Sequence, residues 1–112
     1  MLALFFELQN NIQLYHWSCT IYARHKVSDE LYKSLGDLID KYVEVYSGKY
    51  GRPKLSGKIN VKHMNDKEII DYINNIILKI KKIAANDDTD LCNIRDEILS
   101  SLNQTLYLFT FH

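Results

Sequence analysis

The sequence predicts an all-α fold, a four-helix bundle with one long connection between its second and third helices. Three observations predict it. Apolar side chains recur at three- and four-residue steps along four long stretches of the chain. Three of the four glycines and the only proline fall together in residues 47–64, so the rest lacks the turn punctuation of a β-sandwich. Finally, 112 residues make one domain, residues 1–112, with a modest core and a large exposed share that favours a partner.

The first helix is expected over about residues 1–23. Met1, Leu4, Phe5, Leu8, Ile12, Tyr15, Cys19 and Tyr22 form its core stripe. Leu2, Phe6, Leu14, Trp17 and Ile21 make a second apolar set on roughly the opposite side. A helix that is apolar on two faces packs on two things, and in a one-layer bundle the second is another subunit. Ser28 reads as the N-cap of a second helix over about 27–50. Leu31, Leu35, Leu38, Tyr42 and Val45 point it inward, flanked by Ile39 and Tyr46. Its other face carries Asp29, Lys33, Asp37, Asp40 and Glu44.

Residues 47–64 form the long connection. Asn65 and Glu68 then have the spacing of a capping box and open a third helix over about 66–86, striped by Ile69, Ile73, Ile76, Ile80 and Ile83. Asp87 or Asp88 starts the fourth, about 88–111, on Leu91, Ile94, Ile98, Leu102 and Phe109. The two short connections make hairpins of helices one–two and three–four. A long link between them suits a crossover that runs end to end, the ferritin-like arrangement, better than a simple up-down bundle.

The charge balance, 14 basic against 14 acidic residues, excludes a uniformly basic nucleic-acid coat and an acidic tail. It hides a polarity: Lys49, Arg52, Lys54, Lys58 and Lys62 fall in 47–64 with no acid, a basic loop able to contact phosphate backbones. No apolar run reaches the roughly 20 residues of a membrane span. Met1–Phe6 is too short for a signal peptide. Cys19 and Cys92 are too few for a disulfide framework and read as buried, reduced thiols.

The residues with chemistry to offer are His16, His25, Asp29, Asp40 and Glu44. His25 and Asp29, and Asp40 and Glu44, are each four apart and share a helix face. Imidazole with carboxylate suits iron, manganese or zinc, and the carboxylates favour the harder ions. Periodicity alone makes Asp40 and Glu44 a solvated face opposite the leucine stripe. A di-iron site inside the bundle would need a Glu-x-x-His step, which the sequence lacks. Trp17 reads as interface packing, Tyr15, Tyr22, Tyr42 and Tyr46 as core, Arg95–Glu97 as a surface ion-pair network, and His63 and His112 as solvated.

Over about residues 8–46 the chain resembles the Dps mini-ferritins, which oxidise and store iron and protect DNA. The likeness rests on Tyr15-His16-Trp17, then His25-x3-Asp29-x10-Asp40-x3-Glu44. It is also similar to ferritin-like proteins of large DNA viruses. The resemblance implies iron bound at an inter-subunit site, with ferroxidase activity. One subunit would supply His16 with Asp40 and Glu44, and its partner His25 with Asp29. It further implies a homo-oligomer, a dimer or larger, joined through helices one and two, in the cytoplasm or associated with a virion. The alternative is a non-catalytic helical scaffold or assembly protein with a vestigial site. The nine-residue gap from His16 to His25 is shorter than that family usually shows, and no basic N-terminal arm is present.

Overall fold

The computed structural model describes residues 1–111; His112 lies outside the described residues. Every element among them is helical: α1 (Leu2–Ser18), α2 (Tyr22–Tyr50), α3 (Asp66–Ile80) and α4 (Thr89–Leu108). At 1.5 Å per residue the 29 residues of α2 rise about 43 Å, so this helix runs the whole 42 Å long axis of the molecule. It packs on α1 and on α4, and α3 packs on α4.

Hydrogen bonds at the two ends fix the chain path. At one end Tyr15 of α1 and Arg24 of α2 both meet Asp66, the first residue of α3. At the other, Lys49 and Tyr50 close α2 on Asp88, the N-cap of α4, and the Tyr42 hydroxyl donates to the Ile83 carbonyl beyond α3. Helix α3 therefore starts where α2 starts and runs the same way. The connection 51–65 must travel back along the bundle. Gly51, at φ 88°, takes the left-handed conformation that lets the chain leave α2.

Two α1 side chains that the apolar pattern passes over hold this crossover down. Asn11 is 1% exposed; its Nδ2 donates to the Asn60 carbonyl and its Oδ1 accepts from the Lys62 amide. Glu7 accepts from the Asn60 amide with one oxygen and from the Tyr72 hydroxyl of α3 with the other.

The core is built from the expected stripes: Phe5, Leu8, Ile12 and Tyr15 of α1, Leu31, Leu35 and Tyr42 of α2, the isoleucines of α3, and Leu91, Ile94, Ile98 and Leu102 of α4. Phe5 meets Tyr42 edge-to-face at 5.4 Å between ring centroids. On α2, Ile39 is buried, while Leu38 and Val45 are half-exposed. Asn65 and Glu68 form the capping box at α3, a local device worth about 1 kcal/mol.

Several boundaries move. Helix α1 stops at Ser18 rather than near 23, because Cys19 and Ile21 are extended and turn the chain in three residues; β-branched Thr20 and Ile21 suit that conformation. Helix α2 starts at Tyr22, five residues before the expected Val27, so Ser28 is not its N-cap. It is fully buried within the helix, where its hydroxyl donates to the His25 carbonyl. Tyr22 is 72% exposed rather than core. Helix α3 ends at Ile80, not 86, and its last carbonyls are satisfied by tighter three-residue steps through Lys82 and Ile83. Helix α4 ends at Leu108, short of 111, with the same tightening at Thr110 and Phe111. Cys19 and Cys92 are free and half-buried rather than fully buried.

Burial raises the Tyr15 and Tyr42 hydroxyls from 10 to about 12. The unfolded chain ionises these tyrosines first. The stability they contribute is therefore whole below pH 10 and is lost as pH rises toward about 12. The urea midpoint is expected to fall across that interval, and an unchanged midpoint there would refute the assignment.

Candidate functional site

The three-residue turn Cys19–Ile21 folds α2 back on α1 and sets His16 against His25. The short gap brings the two rings together. They stack at 4.1 Å between centroids with 14° between their planes. His16 Nδ1 lies 2.7 Å from the His25 carbonyl, and His25 Nδ1 lies 2.9 Å from the His16 carbonyl. A carbonyl only accepts, so both Nδ1 atoms carry the proton. In each neutral ring the lone pair is then on Nε2, the arrangement of a metal-ligating histidine oriented from behind by a backbone oxygen. One turn on, Asp29 Oδ1 is 4.0 Å from His16 Nε2. The hydrogen bond from Lys33, 3.0 Å away, holds the Asp29 carboxyl below the usual carboxylate range.

Asp40 and Glu44 are not part of this cluster. Asp40 stands eleven residues beyond Asp29, about 16 Å along the helix axis. It borders a groove of about 230 Å³ between α1 and α2, lined by Leu2, Phe5, Phe6, Gln9, Gly36, Ile39 and Val43. Glu44 lies a turn further, beside Ser47, Gly48 and Arg52. The expected division, with His16 joining Asp40 and Glu44 of its own subunit, is therefore corrected. His16 belongs with His25 and Asp29, because the hairpin puts it at the opposite end of the face. Among the described residues no three His, Cys, Asp or Glu side chains of one chain are placed to hold a metal ion together.

All five residues do share one side of the molecule. On α2, positions 25, 29, 36, 40 and 44 follow one another at helical steps. Phe6 and Trp17 are eleven residues apart and so share a face of α1, where both are exposed, at 44% and 68%.

Behind the histidines lies a polar network, centred on the buried Arg24 and Tyr15, that the sequence pattern did not single out. Arg24 is 8% exposed; its guanidinium donates to the Tyr15 hydroxyl at 3.1 Å and the Asp66 carbonyl at 2.8 Å, and lies 4.8 Å from the centre of the Phe109 ring. The Tyr15 hydroxyl donates in turn to Asp66 Oδ1 at 2.7 Å. Residues from all four helices, or their caps, thus meet under the turn that holds His16 and His25. The one local signal is a cation in the first turn of α2 beside two apolar neighbours, Tyr22 and Ala23. Burial, with the nearby Asp66 carboxylate, raises the Cys19 thiol next to this network.

The basic loop is smaller than its composition suggests. Lys49 belongs to α2 and is paired with Asp88 and Asp90, which hold its ammonium well above the usual lysine range. Arg52, Lys54, Lys58 and Lys62 remain exposed on the crossover. His63 is exposed, and Arg95 pairs with Asp96 at 3.0 Å as a surface ion pair.

Among the described residues no helix is long and apolar enough to cross a membrane. Comparison with curated proteins and with solved structures gives no match. A family model does match, from residue 16 to residue 109, a span that takes in the histidine cluster, the two outer carboxylates and, Tyr15 apart, the Arg24 network. The chain belongs to DUF5856, a family of unknown function.

Proposed function

We propose that this is a Dps-like, ferritin-type protein that binds iron as its substrate at a site completed between two copies of the chain, and that it oxidises Fe(II) there. The observation that carries the reading is the reciprocal pair of Nδ1–carbonyl bonds between His16 and His25, which turns both Nε2 lone pairs over to a ligand. The single long crossover, running the length of the bundle between parallel α2 and α3, is the connectivity of ferritin-like folds and supports the same reading.

One copy offers two imidazoles and Asp29. A second copy, laid antiparallel across α1 and α2, would bring Asp40 and Glu44. The combined donor set of two nitrogens and three carboxylates fits iron. The carboxylates neutralise charge and favour the oxidised ion, so that a co-substrate such as dioxygen or peroxide takes the electrons. The two carbonyls hold the histidines with Nε2 turned toward the ligand. Asp29, kept ionised by Lys33, stays an oxygen donor.

The test is anaerobic addition of Fe(II) followed by peroxide, in the wild type and in Asp40→Ala/Glu44→Ala. Binding and oxidation are expected in the wild type only. Equal rates in both, with no iron held, remove this reading and leave a helical scaffold or assembly protein with a vestigial site. The exposed Arg52, Lys54, Lys58 and Lys62 support a second contact, with the phosphate backbone of nucleic acid. Retention on DNA should then fall steeply with salt, and failure to bind at low salt rules it out.

A further inference from the structure

The face that carries the two half-sites has a centre, and the structure marks it. An antiparallel pair of α2 helices related by a two-fold axis places each residue opposite its mirror position in sequence. If Asp29 of one copy is to approach Asp40 or Glu44 of the other, the axis must pass between residues 34 and 37. On the stripe that carries those acids, the residue at that height is Gly36. It is the only glycine inside the bundle-forming part of α2 ahead of its last turn, and it floors the groove between α1 and α2. A Cβ built there would meet nothing within 4 Å, so no contact within the chain requires glycine at this position. A glycine in mid-helix lowers helix stability. What it permits is close approach of another backbone.

We infer that Gly36 is the crossing point of α2 with α2 of a second copy, and that Phe6 of each copy fills the groove of the other. This rests on the proposed pairing of half-sites, and it adds the register and the contact that set it. Phe6 stands at the groove, 44% exposed, and is apolar where a solvated helix face would be polar. Because the groove and the side chain that fills it lie at the same height as the axis, one contact made twice closes the dimer. The two iron sites then fall symmetrically on either side. The donors follow the same register, since the His16–His25 end of one copy faces the Asp40–Glu44 end of the other.

Site-specific crosslinking tests the register without iron. In a Cys19→Ser/Cys92→Ser background, Gly36→Cys is expected to give a covalent dimer under mild oxidation, because only a residue on the axis meets its own copy within the roughly 7 Å a disulfide tolerates. Leu78→Cys, exposed on α3, is expected to stay uncrosslinked. If the cysteine-free background fails to fold, Gly36→Arg in the native background serves instead. It should convert a dimer to a monomer in sedimentation equilibrium without lowering the melting temperature. A wild-type protein that is monomeric, or a dimer that neither links at Gly36→Cys nor dissociates with Gly36→Arg, overturns the inference. A dimer linked at Gly36→Cys that holds no Fe(II) would sink the iron reading and leave this interface standing. Fe(II) binding by a protein that does not link there would do the reverse.

Discussion

Arg24→Ala is expected to destabilise the fold by about 3 kcal/mol, the scale of breaking a buried charged hydrogen-bond network. For a chain of this size that lowers the melting temperature by roughly 10–15 °C. The truncation removes the donor to the Asp66 carbonyl and to the Tyr15 hydroxyl, and it empties the space against Phe109. Tyr15 stays buried beside the vacancy, while Asp66, which is exposed, can turn to water. Arg24→Met tests how much of this loss is packing. It keeps the stem but still removes both donors, so only the packing share is regained and a loss of about 2 kcal/mol is expected. Thermal melts followed by circular dichroism decide both. An alanine variant that melts with the wild type would show that the four helix ends are not held here.

The second large effect is complementation between two inactive variants. His16→Ala/His25→Ala and Asp40→Ala/Glu44→Ala should each lose at least the 10–100-fold in iron oxidation that even an outer-sphere partner costs, about the minimum for a lost ligand. Mixed and allowed to exchange subunits, they should recover about a quarter of wild-type activity. Half of the dimers are then mixed, and each of those has one intact site and one doubly broken site. The recovery discriminates between partitions of the five residues. With His16 grouped with the acids of its own chain, as the resemblance implied, a mixed dimer of these variants would contain no intact site. The geometry places His16 with His25 instead, and activity should return. Stopped-flow iron oxidation before and after exchange gives the answer, and no recovery from a demonstrated mixed dimer would refute the grouping.

What the sequence made legible was local or periodic. The α3 capping box needs only Asn65 and Glu68, three residues apart, and the isoleucine stripe that follows repeats at the helical step; both are where they were expected. The helix 1–2 turn was hidden because Cys19, Thr20, Ile21 and Tyr22 continue an apolar pattern with neither glycine nor proline to interrupt it. Ser28 looked like a cap for the same reason in reverse. A hydroxyl before an apolar run is a good N-terminal signal, but here it is satisfied inside the helix by the His25 carbonyl. The Arg24 network could not be read at all, since its acceptor on Asp66 lies 42 residues away. The five candidate ligands could be named from spacing and resemblance, but their division into two groups depended on which way the hairpin folds.

The seam between the crossover and α1 has a consequence for how the molecule breathes. The amides of Asn60 and Lys62 belong to an irregular, solvent-facing segment, yet each is bonded to a side chain of α1. Their protons are sheltered only while Glu7 and Asn11 stand in place. Hydrogen exchange at these two positions therefore reads the opening of the first helix rather than the motion of a loop. A segment that looks like slack between two hairpins is in this sense a gauge of whether they are still joined.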